Sequence, residues 1–240
     1  MSSPQRASAS GRALAVIGGL LFILSLAYFL VRYLAFGQPS GPWTSHGWSA
    51  VAIDTGLFTM FALHHSVFAR TGIKAQISAR VSERLERTTY VWISSLLFAL
   101  TLWAWQPVPG MLWQVSGVGQ WLLHAGFAAG LILTAVAASA LDPLELSGVR
   151  QAFGWPPRDD RAFSTSGAYG LVRHPIYLGW ALMVWSVPAM TGTRFVFAAV
   201  STLYLVAAIP IEERQMRRTM GRPYDDYART VRWRMLPGIY

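Results

Sequence analysis

Two long stretches of this chain contain no Asp, Glu, Lys or Arg: Ala13 to Val31, and Thr88 to Leu141, within which His124 is the one residue able to carry charge near neutral pH. An ordinary soluble domain is about 25% charged, whereas this chain is 13% charged and 53% hydrophobic. A bilayer buries such runs whole, because its hydrocarbon core of about 30 Å takes about 20 apolar residues per helix. Every backbone polar group there must be satisfied within the segment, so the runs are expected to be helices. The first gives one span near 13–35. The second is broken at Gln106-Pro107-Val108-Pro109-Gly110 and gives two, near 88–105 and 117–139. Gly47 to Ala69 reads as a further span carrying one internal carboxylate, Asp54. Pro175 to Ile211 is apolar except for Arg194 and is punctuated by Pro188 and Thr191-Gly192-Thr193, so it reads as two short helices near 175–190 and 194–212. The expected fold is an all-α membrane protein with six transmembrane helices, the last two forming a helical hairpin.

The basic residues test that count independently. With the N-terminus in the cytoplasm and each span crossing once, 18 of the 20 Lys and Arg fall on the cytoplasmic side, and only Arg32 and Arg194 fall outside. Adding or removing one span would move the seven arginines between Arg214 and Arg234 to the wrong face. Both termini are therefore expected in the cytoplasm. The net charge of +9 is explained by membrane orientation and attraction to anionic headgroups, and no nucleic-acid partner is expected.

The organisation divides into a flexible tail at 1–12, a four-helix transmembrane half at 13–139 and a C-terminal half at 140–240. The apolar run after the tail is longer than a signal-peptide core and has no evident small-residue cleavage site, which marks it as a retained anchor. Residues 72–87 place Ile73, Ile77, Val81 and Leu85 at four-residue spacing among charges, as in a helix lying on the cytoplasmic face. Residues 214–234, with Tyr224, Tyr227 and Trp233 among arginines, suit the same role. The chain has no cysteine. Disulfides, thiolate metal sites and a cysteine nucleophile are thereby excluded, and any thiol in a reaction must come from the substrate.

Chemistry concentrates in two places. The first is Gly167-Ala-Tyr-Gly-Leu-Val-Arg-His-Pro-Ile-Tyr-Leu-Gly-Trp180. Pro175 suits the first turn of a helix, which puts His174 at the cap. The free N–H groups there, with Arg173 alongside, favour an anion such as a carboxylate, while Tyr177, three residues on, offers a ring to a cation. The bland alternative is that Arg173 and His174 anchor a membrane helix at the interface. The second place is Glu212-Glu213, where two carboxylates follow Pro210 at the cytoplasmic end of an apolar span. The competing explanation is that the helix runs on and Glu213 pairs with Arg217 at i, i+4. A pocket holding both an anion site and a cation site suits a zwitterionic ligand with an extra positive charge.

Arg173-His174-Pro175-Ile176-Tyr177-Leu178-Gly179, preceded by Gly167 and Tyr169 and followed by Glu212-Glu213, resembles the C-terminal signature of integral-membrane methyltransferases related to isoprenylcysteine carboxyl methyltransferase and phospholipid N-methyltransferases. Over about residues 55–237 the chain is closer to bacterial methanethiol S-methyltransferases, which overlap with a denitrification-associated membrane family. The supporting stretches are Leu63 to Arg70, Glu86 to Val91, Trp105-Gln106-Pro107, Trp113-Gln114-Val115, Gly148-Val149-Arg150-Gln151 and Gly221-Arg222-Pro223-Tyr224. Leu141 to Leu146 departs from the aromatic-rich segment that the resemblance leads one to expect, and this bears on the acceptor.

The resemblance implies S-adenosylmethionine bound in the C-terminal half, lined by Tyr169, Leu171, Arg173, His174, Pro175, Tyr177, Gly179, Glu212 and Glu213. It implies methyl transfer to a small thiol such as methanethiol, giving dimethyl sulfide, with no metal and no covalent intermediate. An isoprenylcysteine carboxylate or a lipid is the alternative acceptor. Because the thiolate is the reactive form, groups that help remove the proton are sought on the cytoplasmic side, and His64, His65, Arg87, Arg150 and Gln151 are the candidates. Asp54 is read as structural. The partners expected are an acceptor entering from the bilayer and membrane lipids, in the bacterial inner membrane, with the active site facing the cytoplasm. The rival classes are a haem-dependent or denitrification-accessory protein using His64, His65, His124 or His174 as axial ligands, and a membrane scaffold without activity.

Overall fold

The computed structural model describes residues 7–38, 41–42, 45–68, 83–156 and 167–240. These residues are mostly helical. Packing sorts them into two units, Met1–Pro109 with Leu141–Arg158, and Gly110–Ala140 with Asp159–Tyr240.

The first unit is built on α1 (Ala9–Ala35), α2 (Ser45–Phe68) and α3 (Glu83–Ala104), with α3 packed against both others. Helix α1 starts inside the segment expected as a tail: Ser8 caps it by accepting the Gly11 N–H at 3.1 Å, and the Ala7 N–H donates to Ala152 O at 3.0 Å. Aromatic rings fill the unit's interior, with Phe29, Tyr33, Phe36, Phe58, Phe98 and Trp105 all buried. Asp54 is fully buried and its Oδ1 accepts the Gln106 N–H at 2.7 Å, which ties α2 to the chain as it leaves α3. At the same end Arg32 Nε donates to Leu102 O at 3.2 Å, satisfying one of the free carbonyls that end α3. The unit closes with two short helices, α5 (Pro143–Leu146) and α6 (Val149–Phe153). Asp142 caps the first with Oδ1 and pairs Oδ2 with Arg150 Nε at 2.6 Å; burial raises its carboxyl, but Arg150 and the capping N–H groups outweigh that and hold it below the usual range. Gly148 has φ +83°, and a Cβ there would lie 2.8 Å from Thr88 N, so this turn against α3 requires glycine.

The second unit contains β1 (Met111–Gln114), α4 (Val118–Ser139), α7 (Gly167–Leu171), α8 (Pro175–Trp185), β2 (Ala189–Thr191), α9 (Gly192–Met220) and α10 (Arg222–Thr230). The expectation of an all-α fold is corrected by one small feature: β1 and β2 pair antiparallel, Trp113 opposite Met190 and Gln114 opposite Ala189. The two loops on that side exchange backbone bonds instead of leaving them unmade, as P–V–P–G and T–G–T segments with few other donors must. Helices α4 and α8 approach closely because Gly130 and Gly179 face one another; a Cβ on Gly179 would lie 2.7 Å from Gly130 O. Thr191 caps α9 by accepting the Arg194 N–H at 3.2 Å. Arg194 is buried and donates to Ala189 O at 2.6 Å.

All six segments expected as spans contain helices. Three of these, α1, α4 and α9, are long and apolar enough to cross a membrane, whereas α8 is an apolar helix of 11 residues. Helix α9 does not stop near 212 but continues through Pro210 to Met220. Of the interfacial helix expected at 72–87, residues 72–82 lie outside the described residues, and α3 begins at Glu83. Within the segment expected on the cytoplasmic face, Tyr224 and Tyr227 are 1% and 5% exposed and pack with Val231 against Met216.

Candidate functional site

Pro175 opens α8, and its φ is already set for a helix. The residues before it run alongside the segment after α10, with Arg173 N–H donating to Trp233 O at 2.9 Å and His174 N–H to Arg234 O at 2.8 Å. This pairing fixes where both side chains emerge. Arg173 Nε contacts Glu213 Oε1 at 2.7 Å, while Nη1 donates to Val231 O at 2.7 Å and Arg232 O at 2.9 Å. The Arg173 and Glu213 side chains are 7% and 1% exposed.

Glu213 is a hub. Its Oε2 lies 3.3 Å from Arg234 Nε and 3.9 Å from Arg217 Nη2, and its Oε1 lies 3.5 Å from His174 Nε2. Both sequence readings therefore hold at once, since the helix runs on to bring Arg217 to Glu213 and the carboxylate also meets the Arg-His start of α8. Arg173 and Glu213 answer one another, so neither is the open pole of a ligand pocket.

Glu212 differs. Its side chain is 39% exposed, with Oε1 accepting the Tyr177 hydroxyl at 2.5 Å and Oε2 lying 3.7 Å from His174 Nδ1. The His174 and Tyr177 rings stack with centroids 5.3 Å apart. His174 Nε2 is buried without a hydrogen bond among the described residues. A part-open carboxylate beside two stacked rings has the charge and the quadrupole that suit a cation. Among the other residues expected here, Tyr169 donates to Ala137 O at 3.3 Å and its carbonyl accepts the Tyr227 hydroxyl at 2.8 Å. Burial, offset in part by Arg173 and reinforced by Glu213, pushes the Tyr227 phenol up to about 12. Leu171 is exposed. Gly179 serves the contact with α4.

The acceptor-side candidates all belong to the first unit. His64, His65 and Arg87 converge on Tyr90: its hydroxyl shares a 2.8 Å hydrogen bond with His65 Nδ1, its ring stacks on His64 at 6.1 Å, and the Arg87 guanidinium lies 5.3 Å from it. Ser94 Oγ lies 3.4 Å from His64 Nδ1. A phenol paired to an imidazole can hold or pass a proton. Arg150 is tied to Asp142 and to Pro156 O, and Gln151 Nε2 to Glu145 O at 3.3 Å. Arg87 Nε reaches the same segment at Leu146 O, 2.9 Å away. His124 is exposed beside Trp121.

Sequence reasoning missed Arg234, Tyr227 and Tyr90. Arg87 and Tyr90 stand at i, i+3 and Tyr224 and Tyr227 share the same spacing, which is the signal that could have found them. Arg234 had none, because its partner is Glu213 in another element.

Apolar helices of membrane-crossing length, with a buried Arg–His–Glu cluster at a helix start, define the class as a helical membrane protein. The chain belongs to the family described as NnrU protein, which matches residues 55–236. It is 37% identical to a methanethiol S-methyltransferase of Crocosphaera subtropica over 187 residues, covering 76% of this chain and 73% of that protein. It is 33% identical to a methanethiol S-methyltransferase of Mycobacterium tuberculosis over 229 residues, 88% of this chain and 94% of that one. Nurim of Sus scrofa is 30% identical over 217 residues, 78% of this chain and 80% of that protein. No solved structure matches.

Proposed function

We propose that this protein is a membrane methyltransferase that uses S-adenosylmethionine to methylate a small thiol, methanethiol being the leading acceptor. Two named relatives support the reaction class. The observation that carries the donor is the part-open Glu212 carboxylate beside the stacked His174 and Tyr177 rings. The cofactor fits that donor set, having an ammonium and ribose hydroxyls for Glu212 and a cationic sulfur for the rings. When bound, it supplies an electrophilic methyl group.

The chain's own residues have separate tasks. Tyr177 orients Glu212, while Arg173, Arg234 and Glu213 hold the start of α8 and the segment after α10 as one platform. The acceptor must shed its thiol proton to become nucleophilic. Of the candidates in the first unit, His65 paired with Tyr90 has the chemistry to accept a proton, and Arg87 the charge that favours a thiolate. Alignment and exclusion of water supply the rest of the rate. Six helices crossing the bacterial inner membrane, with both termini and Glu212 on the cytoplasmic side, complete the reading.

Headspace analysis tests it: dimethyl sulfide forms when methanethiol and S-adenosylmethionine are supplied. If methyl label instead enters a lipid extract, the acceptor is a lipid and the reaction class survives. A Soret band from the purified protein, with no methyl transfer to either acceptor, favours the haem-dependent reading.

A further inference from the structure

Helix α8 has two unlike faces. Gly179 lies hard against Gly130 and Thr134 of α4. On another face Leu178, Ala181, Leu182 and Trp185 recur at helical spacing and, with Ser186, line a cavity of about 270 Å³ whose far walls are Thr202 of α9 and Met235 and Leu236. No charged side chain lines it. At one end Trp185 Nε1–H donates to Thr202 Oγ1 at 2.9 Å, so the polar groups there already have each other. At the opposite end Met235 and Leu236 follow Arg234, whose carbonyl holds His174 N–H, and Tyr177 packs on the buried cluster that includes Leu178, Ala181 and Met235. The cavity thus runs along eight residues of α8, about 12 Å, from Leu178, the residue after Tyr177, to Trp185.

That shape has a chemistry. A purine or a headgroup would find only the Ser186 and Thr202 hydroxyls at one end and none along the rest of the walls, and methanethiol would leave most of the volume empty. One unbranched alkyl chain fills it. We propose that this slot receives the apolar chain of the methyl acceptor, so that linear alkanethiols up to about decanethiol are substrates alongside methanethiol. The proposal rests on the thiol reading above. The new sulfur–carbon bond forms at the acceptor thiolate, the bond to the donor sulfonium breaks with its electron pair left on that sulfur, and the chain in the slot serves only to bind and aim.

Long thiols partition into the bilayer, so absolute KM values mislead; the ratio of kcat/KM for decanethiol to that for methanethiol, compared between wild type and variants, cancels the partitioning. Ala181→Phe fills the slot from α8 and Leu236→Trp from the opposite wall. In each the ratio is expected to fall about tenfold or more, the scale of steric discrimination in an apolar pocket. A ratio unchanged in both variants overturns the proposal. A second readout is independent of turnover: a decyl diazirine should photolabel the peptide containing 175–186, and excess decanethiol should suppress the label. Labelling that decanethiol does not suppress assigns the slot to bilayer lipid and overturns the proposal as well. If no thiol is methylated but decanethiol suppresses the label, the slot binds alkyl chains as stated and it is the thiol reading that fails.

Discussion

Glu212 and Glu213 are chemically identical neighbours with opposite duties. Glu213 is 1% exposed at its side chain and sits among Arg173, Arg217, Arg234 and His174. Removing one partner of a buried ion pair costs about 3–5 kcal/mol, and here it is Arg173 and His174 that stay buried without the carboxylate, Arg217 and Arg234 being part-exposed. Glu213→Gln is therefore expected to lower stability on that scale, read as a large drop in thermal midpoint in detergent. Glu212 is 39% exposed and its main contact is a neutral phenol. Glu212→Gln should leave the midpoint nearly unchanged and weaken binding of S-adenosylhomocysteine about tenfold or more by calorimetry, the worth of a hydrogen bond to a charged group. Equal effects of the two substitutions on stability would refute this division. Asp54 is a third case. Its carboxylate receives a backbone N–H that has left its helix, and Asp54→Ala should cost about 1–3 kcal/mol by orphaning that donor. The structural role read for it from the sequence holds, and the position of Gln106 supplies the partner that the sequence did not name.

At the scale of elements, hydropathy located the helices well, since α1, α2, α3 and α4 lie within a few residues of the uncharged runs. What it could not supply were contacts between distant segments. The pairing of Met111–Gln114 with Ala189–Thr191 has no periodicity in either strand, each being only three or four residues long. The continuation of α9 past Pro210 contradicts a local rule that reads proline as a stop; the charged turn beyond it holds because Glu213 gains partners at four positions, 173, 174, 217 and 234. Nor did composition group α4 with the unit that contains α8, because that contact depends on two missing side chains. Gly179→Leu is expected to destabilise by more than about 3 kcal/mol, exceeding ordinary overpacking, since the new atoms would meet the backbone of Gly130 and Thr134 as well as the Thr134 hydroxyl. The check is the thermal midpoint beside that of Gly56→Leu, a position where a Cβ meets nothing within 4 Å.

For the whole molecule, the sign of the charges gave an orientation that the helices alone do not contain. The absence of cysteine makes that orientation directly measurable. Gln114→Cys, in β1, is expected to react with an impermeant maleimide in intact cells, and Thr219→Cys, near the end of α9, only after the cells are opened. The opposite pattern would invert the proposed topology and place Glu212 on the outer face. That the start of α8 meets the two glutamates was legible because the parts lie in two short motifs, Arg173 to Gly179 and Glu212-Glu213. Arg234 was not, because nothing local distinguishes it from the six other arginines between 214 and 234.

The ties made by Arg173 also impose an order on biosynthesis. Its side chain is held by residues 213, 231 and 232 and its backbone by 233. A nascent chain that has formed α8 and α9 still has the His174 end of α8 unfastened. It becomes competent to hold a ligand only when the ribosome has released the stretch through Arg234. Ribosome-stalled chains ending before residue 228 should accordingly insert yet fail to retain S-adenosylhomocysteine.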